Sequence, residues 1–253
     1  MSRQLLFAAN WKMNLGPREA AAYLKAFFRG YRARPNRRVW FFPPDVSVPA
    51  VAAGTKGRKG IGVGVQDAYW EPEGAFTGAT SARLAQDAGA TMALVGHSER
   101  RHLFGETDEM TSKKVRAVLA TGMMPVLCVG ETLAQRQRHE TNAVVRRQLS
   151  AALGGLDAKA LGAITVAYEP VWAVGTGHNA TPADAAVVHR EIRAWLTEQG
   201  ARRRANVLYG GSVRRDNVAT LLAEPEIDGV LVGGASLKPA DWRAIVEAEV
   251  ARG

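Results

Sequence analysis

A closed (β/α)₈ barrel, an α/β fold with eight parallel strands, is the class this chain predicts, on three observations. Short β-rich runs alternate with helix-length amphipathic stretches from one end of the 253 residues to the other. The runs are apolar throughout instead of alternating, as strands covered on both faces by helices must be. About eight such units fit the length, and no Pro/Gly/Ser-rich linker or composition break divides residues 1–253, so a single barrel domain is expected. Pattern alone leaves an open doubly wound sheet as the alternative; the unit count favours the barrel.

Taken in order, the strands are expected at Leu5–Ala9, Arg38–Phe42, Ile61–Gln66, Met92–Val95, Met124–Val129, Ala163–Tyr168, Asn206–Tyr209 and Gly229–Val232. Helix starts between them carry their own signals. Pro17 with Glu19 combines a first-turn proline with an acid that complements the helix dipole, and Asp108 supplies the same charge. Thr181-Pro182 reads as N-cap and first-turn proline, and Lys238-Pro239-Ala240 opens the last helix.

Composition narrows the function classes. No apolar run reaches the roughly 18 residues that span a bilayer, and the N-terminus lacks a small-residue cleavage site, so a cytoplasmic chain without a membrane partner is expected. The single cysteine, Cys128, excludes an intrachain disulfide and fits a reducing compartment. Thirty-three lysines and arginines against 24 acids give a net charge of +9, which makes anions natural ligands. The arginines are scattered along the sequence, and neither aromatic interleaving nor a nucleic-acid motif accompanies them, so no nucleic-acid partner is expected.

In such a barrel the chemistry sits on loops after the strands' C-terminal ends, and polar clusters fall there. Thr165 to Gly177 places one carboxylate, Glu169, where an apolar run ends and a loop begins with Pro170 and runs into glycines. A rigid strand end fixes a base, and a Gly-containing loop can close over it as a lid. Lys12, in Asn10-Trp11-Lys12-Met13-Asn14, can aim an ammonium at developing oxyanion charge or at a phosphate. His97 stands before Ser98-Glu99-Arg100-Arg101; a helix starting there keeps its imidazole neutral and able to polarise a carbonyl. Gly210-Gly211-Ser212 and Gly233-Gly234 end the last two strands, where backbone N–H groups can cradle a phosphate. Gly175 to Ala180 matches a dinucleotide fingerprint, but it does not follow a strand directly and does not open a helix. The dispersed histidines form no metal-ligand spacing, so neither metal nor cofactor is expected.

Together, N-W-K-M-N at 10–14, G-H-S-E-R-R at 96–101, A-Y-E-P-V-W-A-V-G-T-G at 167–177, Y-G-G-S-V at 209–213 and L-V-G-G-A-S-L at 231–237 resemble the triosephosphate isomerase family, in order and across the chain. The resemblance implies interconversion of dihydroxyacetone phosphate and D-glyceraldehyde 3-phosphate through an enediolate, in glycolysis and gluconeogenesis. It makes Glu169 the base, His97 a neutral electrophile, and Lys12 with Asn10 the stabilisers of the enediolate. Lys12 would also meet the phosphate, and Glu99 would orient it. Gly175, Ser212, Gly233 and Gly234 would bind the phosphate, while Val174 and Leu231 clamp Glu169 under the lid. Lid closure and the neutral imidazole are established for that family and are taken over with the resemblance. Desolvation by the clamp is expected to raise Glu169 from about 4.3 toward roughly 6–7.

The resemblance also implies a homodimer in which the loop Gln66 to Gly78 enters the partner's site, with Thr77 reaching Asn10 and Lys12. Ala79 replaces the usual glutamate there, which leaves the intersubunit ion pair of Arg100 open. His178-Asn179 and Val174 also depart from the family's common residues at the lid. Two other functions compete with isomerisation: a Schiff-base aldolase using Lys12, and a polyanion binder exploiting the net charge.

Overall fold

The computed structural model describes residues 3–173, 180–202 and 204–250. Eight strands close in sequence order into a barrel, every neighbouring pair parallel, with β1 completing the ring against β8. They are β1 (Leu5–Asn10), β2 (Arg37–Phe42), β3 (Ile61–Val65), β4 (Met92–Val95), β5 (Met124–Val129), β6 (Thr165–Tyr168), β7 (Asn206–Tyr209) and β8 (Gly229–Val232). The chain therefore has the expected barrel, and strand ends differ from the expectation by at most two residues.

The longer covering helices are α1 (Pro17–Gly30), α2 (Val48–Thr55), α5 (Asp108–Ala120), α7 (Thr141–Leu153), α9 (Pro182–Glu198) and α11 (Pro239–Glu247). Shorter ones are α3 (Ala82–Asp87), α4 (Ser98–Leu103), α6 (Leu133–Gln137), α8 (Ala158–Leu161) and α10 (Val218–Ala223). Their starts follow the chemistry of capping. Glu19 accepts the Gly16 N–H at 2.9 Å, Thr107 caps α5 by accepting from Met110, and Thr181 caps α9 by accepting from Asp184. Among the described residues no helix is long and apolar enough to cross a membrane.

Two cores explain why the strands are apolar on both faces. Leu6, Ala8, Trp40, Phe42, Leu94, Cys128 and Leu231 fill the barrel interior, while Phe7, Phe41, Val39 and Val207 pack outward beneath the helices. Trp40 and Phe42 are too large for symmetric neighbours. A Cβ on Gly62 would lie 2.8 Å from Trp40 and one on Gly64 would lie 2.4 Å from Phe42, so β3 faces the interior with glycine.

One buried group makes stability depend on pH. His189 on α9 is fully buried, with Nδ1 3.1 Å from the Glu226 carbonyl and Nε2 without a partner among the described residues. Burial, only partly opposed by that bond, pushes the imidazole down to about 3. The unfolded chain takes up this proton near pH 6.5, so the contribution is complete above about 6.5 and is lost as pH falls toward the folded value. The loss amounts to at most about 1.4 kcal/mol per pH unit. In His189→Leu, urea unfolding between about pH 4 and 6.5 should lose this one-proton slope; an unchanged acid limb would argue that other groups set it.

The fold also relocates the excess charge. Arg29, Arg32, Arg38, Lys56, Arg58 and Lys59 are exposed where α1 ends, β2 begins and α2 passes into β3, which is the end of the barrel opposite the strands' C-termini. None forms an ion pair among the described residues. A six-residue strand spans about 20 Å, roughly twice the screening length in physiological salt. This cluster therefore adds little to ligand attraction at the opposite end.

Candidate active site

The residues singled out for chemistry converge at the C-terminal end of the barrel, around a cavity of about 360 Å³. Asn10, Lys12, His97, Glu169, Leu231, Ser212, Gly233 and Gly234 all line it. They arrive from five strand ends, β1, β4, β6, β7 and β8, so the closure of the barrel assembles them.

Lys12 sits two residues past β1 with φ of 51°, a left-handed conformation that a side-chain-bearing residue rarely adopts. Three contacts hold it. Its N–H donates to Asn10 Oδ1 at 3.0 Å, and Gln66 Nε2 donates to its carbonyl at 2.8 Å. Its Nζ donates to Glu99 Oε1 at 2.5 Å. Gly233 leaves room for the stem, since a Cβ there would lie 3.1 Å from Lys12 Cε.

His97 is the N-cap of α4 and Glu169 follows β6; both are buried. His97 Nδ1 accepts the Glu99 N–H at 3.2 Å. A nitrogen that accepts carries no proton, so the ring bears its hydrogen on Nε2, 3.1 Å from Glu169 Oε1. Burial pushes the imidazole down, and the Glu169 and Glu99 carboxylates outweigh it and draw it up. The accepting Nδ1 fits a neutral ring, whereas the two carboxylates pull toward the protonated one.

For Glu169 the direction differs from the sequence expectation. Burial pushes its carboxyl up, but His97 and the Ser98 N–H, which donates to Oε2 at 2.9 Å, hold it below the ordinary carboxylate range. Both oxygens already accept hydrogen bonds that favour the anion, and this outweighs desolvation.

Gly210 is required beside Glu169, because a Cβ there would lie 2.8 Å from its Cγ. Gly211 stands over Tyr209, whose oxygen a Cβ would meet at 2.2 Å. Ser212 Oγ donates to the Ala173 carbonyl at 3.0 Å, and Leu231 forms an apolar wall. Val174 and Gly175, with His178-Asn179, lie outside the described residues. Thr77 is exposed on the loop after β3 and is not among the residues lining the cavity of its own chain. Arg100, left open by Ala79, finds carboxylates within its chain: Nε lies 2.9 Å from both Asp67 and Glu106, and buried Lys114 ties those two acids together.

Several participants escaped the sequence reading. Besides Gln66 and the Ser98 N–H, fully buried Glu131 accepts from the Tyr168 hydroxyl at 3.1 Å and from the Trp172 indole at 2.9 Å, just beyond Glu169. The available signal was position, since Gln66 follows β3 directly and Glu131 comes two residues after β5.

The family model described as triosephosphate isomerase matches residues 5–249. The triosephosphate isomerase of Roseiflexus sp. (strain RS-1) is 47% identical over 247 residues, covering 96% of this chain and 97% of the relative. That of Symbiobacterium thermophilum is 44% identical over 249 residues, 97% of each, and that of Rhodopirellula baltica is 41% identical over 251 residues, 98% of each.

Proposed function

The chain belongs to the triosephosphate isomerase family, and we propose that it interconverts dihydroxyacetone phosphate and D-glyceraldehyde 3-phosphate through an enediolate, with Glu169 as the base. The observation that carries this reading is the convergence of a buried carboxylate, an imidazole whose Nε2 lies 3.1 Å from it and a lysine on one cavity from three separate strand ends.

Glu169 takes the carbon-bound proton of the substrate. To do so it exchanges the Ser98 N–H and the His97 ring for the substrate carbon. Losing two donors raises its basicity in the closed site, where the free enzyme holds it low. His97 Nε2–H then points at the substrate's carbonyl oxygen, donates as negative charge develops there and passes protons between the two oxygens. Lys12, with Asn10 fixing its backbone, supplies the positive charge for the enediolate and the phosphate. The family is the known example of this carboxylate and neutral-imidazole pairing. Gly175, Ser212, Gly233 and Gly234 bind the phosphate through backbone N–H groups. Val174 and Leu231 desolvate the base. Protons balance within the substrate, Glu169 and His97, so the reading calls for no cofactor or metal, and triose phosphates are its small-molecule partners in glycolysis and gluconeogenesis.

Incubation with D-glyceraldehyde 3-phosphate in D₂O, followed by proton NMR, tests it. Dihydroxyacetone phosphate partly deuterated at C1, abolished by Glu169→Gln, is the expected result; no conversion by folded protein would reject the reading. For the phosphate site, Gly211→Val is expected to weaken competitive inhibition by inorganic phosphate about tenfold or more, because the side chain blocks close backbone approach. Unchanged inhibition would remove this loop from the phosphate site.

We read the assembly as a homodimer completed by Thr77 of the partner. Met13, Val46 and Phe76 leave 94, 71 and 40% of their surface exposed on loops after three adjacent strands. Such a run of apolar side chains fits an interface between copies.

A further inference from the structure

Glu169 is held from behind by the last residue of β5 and the two that follow it. Its N–H donates to the Val129 carbonyl at 2.8 Å, and the Val171 N–H donates to the Glu131 carbonyl at 3.0 Å. Between these bonds the Gly130 backbone lies so close that a Cβ on it would stand 1.8 Å from the Glu169 carbonyl oxygen. The location of the base therefore copies the location of residues 129–131.

Gly130 lies just past the last paired residue of β5, and Gln148, reaching in from α7, fixes it there. Its Oε1 accepts the Gly130 N–H at 2.8 Å and its Nε2 donates to the Gly130 carbonyl at 3.2 Å. The side chain is 4% exposed and acts as the strand neighbour that Gly130 lacks. A buried amide gripping both backbone polar groups of one residue leaves that residue no room to slide.

We propose that Gln148 is a positioning residue for the catalytic base, acting through Gly130 on the Glu169 backbone. The proposal rests on Glu169 being the base. A general base displaced by about 1 Å loses roughly 10² in rate without losing substrate binding, which separates positioning from plain structural support.

Two variants test it. In Gln148→Met, kcat is expected to fall about 10- to 100-fold while KM and inhibition by inorganic phosphate stay within about threefold. In Gln148→Glu, a protonated carboxyl still offers one acceptor and one donor to Gly130, whereas the ionised form has no donor for the Gly130 carbonyl. Its activity relative to wild type should approach parity at low pH and fall as pH rises through the raised pKa of the buried acid. A Gln148→Met enzyme with kcat within about twofold of wild type, or a pH-independent activity ratio for Gln148→Glu, would overturn the proposal. If Gln148→Met does not fold, the pH dependence of Gln148→Glu decides alone. Inactivity of the wild type in the same assay would instead reject Glu169 as base. Amide hydrogen exchange at Glu169 and Val171 then reads the grip directly, and unchanged protection in folded Gln148→Met, or in Gln148→Glu above the pKa of its carboxyl, would overturn it.

Discussion

Glu169→Asp is expected to lower kcat by about 10²-fold or more and to leave KM within a few-fold. The backbone at Glu169 cannot follow a shortened side chain. It is bonded to Val129, pressed against Gly130 and followed by Pro170, so removing one methylene withdraws the carboxylate from the substrate carbon by about 1 Å. Glu169→Gln keeps the length and removes the base, and should cost about 10² to 10⁴ in kcat. Steady-state kinetics in both directions checks both. Near-wild-type turnover in the aspartate variant would mean that some other group takes the proton.

Lys12→Ala is expected to lower kcat/KM by at least about 10² to 10³, the effect of one preorganised oxyanion donor, with KM raised and kcat lowered together. Both change because, in the proposed mechanism, the ammonium meets the phosphate in the bound substrate and the enediolate in the transition state. The strained backbone at Lys12, with φ of 51°, together with the grips of Asn10 and Gln66, shows how closely the chain constrains this side chain. The same variant separates the competing chemistries. A Schiff-base aldolase would leave a borohydride-trapped adduct on Lys12, whereas the isomerase leaves none. Duplex DNA binding that survives Lys12→Ala would mark the polyanion function as separate from this site.

The barrel was legible because each strand run is apolar on both faces and several helix starts carry a capping residue, a first-turn proline or an acid, and these are local properties of the chain. Asn10, Lys12, His97, Glu169 and the paired glycines were legible because a parallel barrel places its strand ends on one rim. What the chain could not display is who holds those residues. Gln148 lies 18 residues from Gly130, and Glu131 lies 41 from Trp172. A buried glutamine on a helix has no sequence pattern of its own.

Protonation states needed the assembled site as well. Glu169 was expected to titrate high because its neighbours are apolar, yet the Ser98 N–H and the His97 ring, 71 and 72 positions earlier in the chain, hold it low. The scattered arginines likewise became a cluster only once α1, β2 and the α2–β3 connection were brought to one end of the barrel. Periodicity, capping and strand-end polarity act over a few residues, so the sequence by itself determined the fold class and the rim on which the proposed reacting groups stand. Hydrogen bonding, packing and electrostatics act over ångströms between residues far apart in the chain, so only the tertiary structure decided how the base is held, which way its proton affinity moves, and that Arg100 finds its carboxylates at home.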